Sequence, residues 1–165
     1  MAELSQQERL QPALLDRLTD DAPDQKRESP EKRVMPMRRL REIVLRDLTW
    51  LLNSGNLSGV HDFSDYPFVA ESVLNYGMPD LAGFTVSSLD RVAIERYIIK
   101  VIRGFEPRIL QKSLKVHVIS AEDQMNHNAI TLEIRGDLWA QPLPMHLYLR
   151  TEIDLEGGTV KIVET

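Results

Sequence analysis

Apolar residues recur at spacings of three or four between positions 37 and 51: Met37, Leu40, Val44, Leu48 and Leu51. That spacing gathers all five on one face of an amphipathic helix, and Asn53-Ser54-Gly55 supplies the polar and left-handed-tolerant residues that end it. A turn-rich stretch from Gly55 to Pro67 leads into a short apolar segment, Phe68 to Leu74. We expect a short helix there, ended by Gly77 and Pro79. Ser87 with Asp90 makes a loose capping signature for a second long helix over about Leu89–Gly104. Ile94, Ile98, Val101, Ile102 and Phe105 form its buried stripe, and Arg96, Lys100 and Arg103 share the opposite face.

From Ser113 the period changes to two. Leu114, Val116 and Val118 alternate with Lys115 and His117, and Ile130, Leu132 and Ile134 alternate with Thr131, Glu133 and Arg135. Alternation of this kind marks strands with one face buried. Met145, Leu147 and Leu149 repeat it, and Gly157-Gly158 joins that strand to Val160–Val163 as a hairpin. Helices followed by strands predict an α+β fold, with N-terminal helices packed on an antiparallel sheet of about four strands.

Composition narrows the classes. The chain has 165 residues, 42% hydrophobic and 27% charged, which suits a globular domain. Its net charge of -5 gives no general electrostatic grip on nucleic acid. There is no cysteine, so disulfides and thiolate-bound metal are excluded. Residues 20–36 combine three prolines with dense mixed charge, the composition of a solvated linker. The expected organisation is therefore a motif and flexible linker over 1–36 and a folded domain over 37–165. Charge is polarised: Lys26 to Arg41 holds seven basic and two acidic residues, and Ser120 to Thr165 holds eight acidic and three basic. No apolar leader or membrane span is visible, so residence in the cytoplasm, without membrane insertion, is expected.

Common catalytic signatures are missing, including a nucleophile elbow, a phosphate-cradling glycine loop and histidines at metal spacing. No cofactor or metal is expected. His117 and His146 alternate with apolar strand residues, which places them on the solvent side. The most informative spot is Gly104-Phe105-Glu106-Pro107-Arg108, where the second long helix ends. Pro107 drives Glu106 out of helical geometry, so the two charges sit on a defined corner. Locally the simplest account is Gly104 as the cap, Pro107 as the stop, and two solvated charges. A glycosidase acid at Glu106 is disfavoured, because a neighbouring arginine favours the ionised carboxylate and no second carboxylate is placed beside it. Asp62 or Asp65 could supply one only if the fold brought it there.

Four stretches together resemble a known family: Leu14-Leu15-Asp16-Arg17-Leu18-Thr19-Asp20; Val44 to Leu48 with Leu51-Leu52-Asn53; Ser72 to Leu81, containing Asn75-Tyr76-Gly77-Met78-Pro79-Asp80; and Phe105-Glu106-Pro107-Arg108. In this order and spacing they are similar to the TssE family of type VI secretion systems and the related baseplate wedge protein of contractile phage tails, often labelled lysozyme-like. Ile109 stands where the family often has leucine. The resemblance implies a non-catalytic wedge subunit at the inner face of the cell envelope. It implies binding to TssF and TssG, with TssK attached to them, and a template role for the sheath of TssB and TssC. Glu106, Pro107 and Arg108 then become assembly residues, the arginine pairing bidentately with a partner's carboxylate. Leu10, Leu14, Leu15 and Leu18 recur at helical spacing beyond the charged linker; with Arg17 they make a tethered motif that either folds back on its own domain or lies in a partner's groove, and the tether favours the groove. Asn75, Tyr76, Gly77, Pro79 and Asp80 read as turn-formers. Two other readings share the fold: a regulatory binding module of the anti-adaptor type, and a cell-wall hydrolase, which lacks a signal peptide or disulfide to support it.

Overall fold

A computed structural model describes residues 13–19, 24, 36–79, 90–120, 129–140 and 143–164. The elements run α1 (Leu14–Leu18), α2 (Met37–Asn53), α3 (Pro67–Ala70), α4 (Arg91–Phe105), then β1 (Lys115–Ser120), β2 (Ala129–Leu138), β3 (Met145–Asp154) and β4 (Val160–Glu164). Most of the predicted linker, and Ser87, Leu89 and Asp80, lie outside the described residues.

The strands form an antiparallel meander in the order β1-β2-β3-β4. The predicted alternation holds: β2 turns Ile130, Leu132, Ile134 and Leu138 inward, and β3 turns Leu147, Leu149 and Ile153 inward. The α2 stripe of Leu40, Ile43, Val44, Leu48, Leu51 and Leu52 and the α4 stripe of Ile94, Ile98, Val101 and Ile102 complete the core. Each of these aliphatic side chains contributes roughly 1.5–3 kcal/mol by leaving water. That term fastens both helices to one face of the sheet.

Local details differ from expectation in three places. The cap of α4 is Asp90, whose carboxylate accepts from the backbone N–H groups of Val92 and Ala93 at 3.0 and 3.2 Å. The helix therefore starts at Arg91, because the first orphan donors find their acceptor one residue earlier. Gly104 is inside the last turn of α4; Glu106 is the C-cap, its N–H bonded to the Ile102 carbonyl. The segment expected as one short helix is split into α3 and a 3-10 turn, Val73–Asn75, because Ser72 accepts from Leu74 and starts the turn afresh.

The edges of the sheet are treated differently. The Val118 N–H of β1 points outward and donates to the Glu95 carboxylate of α4 at 2.8 Å. On β4, the side-chain amide of Asn53 bonds both backbone groups of Val160, at 2.9 Å each, as a neighbouring strand would. Val160 and Ile162 both belong to the non-bonded pairs of the β3–β4 ladder, so both face outward. Those of Ile162 have no partner among the described residues.

Candidate functional site

The corner after α4 is the centre of an ion-pair chain. Glu106 is only 3% exposed. The Arg108 guanidinium straddles it, donating from Nε to Oε1 at 2.6 Å and from Nη2 to Oε2. Nη2 also donates to Asp47 of α2 at 2.6 Å. The other Asp47 oxygen accepts from Arg46 at 2.8 Å, and Arg46 Nη1 donates to Asp16 of α1 at 2.7 Å. Five side chains, Asp16, Arg46, Asp47, Arg108 and Glu106, thus join α1, α2 and the α4 corner. Bidentate arginine–carboxylate bonds are among the stronger polar contacts available to a protein. Burial works against the charge on Arg108, but the bonds from Glu106 and Asp47 outweigh it and hold the guanidinium above its ordinary pKa. The Asp16 bond does most to raise that of Arg46, against a smaller burial effect. Burial, then the charges of Asp47 and Glu106, raise the Tyr76 phenol.

The backbone fixes this corner as firmly. The Trp139 N–H donates to the Arg108 carbonyl at 2.7 Å, and the Leu110 N–H to that of Asp137 at 2.8 Å, extending the pairing on β2 beyond β1. Gly136 packs closely beneath it: a Cβ there would stand 3.0 Å from the Ile109 side chain, tighter than most such contacts. The corner charges are therefore not solvated, as the local sequence reading had them. The fork of Arg108 engages carboxylates of its own chain, leaving Nη1 without a partner among the described residues and the side chain a quarter exposed. Pro107 beside it is exposed.

The remaining predicted residues fall into two groups. On α1, Leu14, Leu15 and Leu18 are 70%, 47% and 74% exposed, and Arg17 lies in the same helix. The helix is held by Asp16, whose second oxygen is buried without a partner among the described residues. The turn-formers hold the excursion between α2 and α4. Asn75 accepts from the N–H and hydroxyl of Ser58 and donates to the Ala70 carbonyl. Tyr76 packs edge-on against Phe105 with ring centroids 5.2 Å apart. Gly77 has φ 118°, and Pro79 closes the described stretch. Asp80 lies outside it.

Sequence reasoning missed Asp47, Arg46 and Asp16 as parts of the site. All three stood within the matched stretches, but helical periodicity assigns polar residues to solvent and carries no record of their partners. His117 and His146 are exposed, and Arg96, Lys100 and Arg103 lie on the outer face of α4. Hydrolytic chemistry gains nothing from this geometry. Both Glu106 oxygens are occupied by Arg108, whereas a glycosidase acid must reach a sugar oxygen. Asp62 is engaged with Ser64 on the excursion. Among the described residues no cluster could hold a metal ion, and no helix is long and apolar enough to cross a membrane.

No curated protein and no solved structure matches the chain. Residues 38–143, from α2 through the corner and just past β2, match the family described as baseplate wedge protein gp25, and the chain belongs to that family of structural baseplate proteins.

Proposed function

We propose that the chain is a TssE subunit of a type VI secretion system, standing at the cytoplasmic face of the cell envelope. It binds TssF and TssG, with TssK attached to them, and its sheet offers the first template to the TssB–TssC sheath. The corner of Glu106, Pro107 and Arg108 is a preset contact for the wedge partners. The ion-pair chain fixes its shape before any partner arrives, and the exposed face of Arg108 supplies donors. On this reading residues 1–36 are a binding arm anchored through Asp16 to Arg46 and 37–165 the wedge domain, with the exposed leucines of α1 seated in a partner's groove.

The observation that carries the template role is the unpaired stretch of backbone on the edge of β4. Past the Val160 pair held by Asn53, the outward N–H and C=O of Ile162 on β4 have no partner among the described residues. An unpaired edge is where an incoming strand adds. Replacing Ile162 with proline removes the outward donor at a position where an edge strand tolerates it. Ile162→Pro should still co-purify with TssF and TssG but fail to start sheath polymers on assembled baseplates. Normal sheath growth from Ile162→Pro baseplates would eliminate β4 as the template.

A further inference from the structure

The excursion between α2 and α4 carries a second feature that the corner does not use. Its base is clasped by two backbone bonds, from Asn56 N–H to the Met78 carbonyl at 2.9 Å and from Met78 N–H to the Ser54 carbonyl at 2.7 Å. Within the clasp, Asn75 braces Ser58 and Ala70. Yet this braced segment turns its apolar residues outward: Val60, Tyr66, Phe68, Val73 and Leu74 are each more than 60% exposed. Scattered apolar residues on a surface are ordinary, but five within fifteen residues of a fixed segment are a concentration of the kind that partners cover.

Charge identifies the kind of partner. From Leu48 to Pro79 there is no lysine or arginine, while Asp62, Asp65 and Glu71 are acidic. Charged gatekeepers that normally discourage unwanted association are therefore of one sign. Asp62 and Glu71 line an open cleft of about 610 Å³ together with Val60 of this segment and Lys100 of α4. Much of the backbone here is folded into short helical turns and bonded to itself, which leaves little for an added strand to pair with. Recognition must run through side chains. A rigid apolar ridge with an acidic border complements an amphipathic helix whose apolar face is flanked by lysine or arginine.

We propose that residues 57–75 form a second docking surface, distinct from the Glu106 corner, which takes a basic amphipathic helix from another subunit. The rigid clasp lowers the ordering cost of that contact, and Phe68 and Val73 are its anchors. The test uses the full chain and a fluorescent helical peptide of about 18 residues, five turns, with leucine on one face and lysine on the other. A matched peptide with glutamate in place of lysine is the control. The lysine peptide should bind, the glutamate peptide should not, and Phe68→Ser/Val73→Ser should weaken binding at least about tenfold with an unchanged melting temperature.

Equal binding of the two peptides, or an affinity of the double variant within about twofold of the parent, would overturn the proposal. So would sedimentation showing that the parent self-associates through this patch and that Phe68→Ser/Val73→Ser is monomeric, since the occupant would then be a second copy. No baseplate protein enters the measurement, so either outcome leaves the wedge assignment where it stands.

Discussion

Arg108 faces two carboxylates, and Glu106 is nearly removed from water. Taking away one member of a buried pair strands the other, which is far more costly than never having had the pair. Arg108→Ala should therefore lower unfolding free energy by about 3–5 kcal/mol, read from urea denaturation, because Glu106 is left charged and buried. Arg108→Lys keeps one charge but loses the fork, and should fall between that variant and the parent. A loss below about 1 kcal/mol for Arg108→Ala would mean that water replaces the guanidinium and that the corner is not preset. Assembly assays must use the lysine variant, since the alanine variant confounds a lost contact with a loosened fold. The sequence placed Glu106 and Arg108 on a corner because proline geometry is local. It gave no sign that Asp47, roughly sixty positions away, would share the arginine.

At the scale of elements, the excursion stands or falls with its clasp. A Cβ on Gly77 would lie 2.2 Å from the Ser54 carbonyl oxygen, a backbone atom that cannot swing aside, and φ of 118° already disfavours any side chain. Gly77→Ala should cost more than about 2 kcal/mol and shift the urea midpoint down without changing the slope greatly. A midpoint equal to the parent's would show that the end of α2 can retreat from Met78, and the rigid platform would be lost as an idea. Gly77 was legible as a stop, since Asn-Tyr-Gly-x-Pro reads as a turn in any context. What it stops against was not, because the close approach comes from a different element. Asn53 makes the same point. It read as a helix terminator, yet its side chain bonds both backbone groups of Val160 on the edge of β4 across 107 positions.

For the molecule as a whole, the layer arrangement was legible because burial imposes periods of 3.6 and 2 that local sequence must obey. The meander order was not fixed by those periods, nor was the inequality of the two edges, since both depend on side chains reaching across elements. That inequality has a consequence for solubility. A sheet with one open edge can join at most one copy of itself edge to edge, whereas two open edges permit head-to-tail addition without closure. Glu95 blocks the middle of the second edge, by accepting the outward Val118 N–H. Glu95→Ala should fold, because the core stripe of α4 is untouched, but should self-associate progressively as concentration rises, visible as mass growing beyond a dimer in light scattering. Adding Ile162→Pro in the same chain should limit that growth to pairs, because only one edge would remain open. A Glu95→Ala chain that stayed monomeric at high concentration would show that α4 itself shields β1, and the role of closing the edge would pass from one carboxylate to the packing of the whole helix.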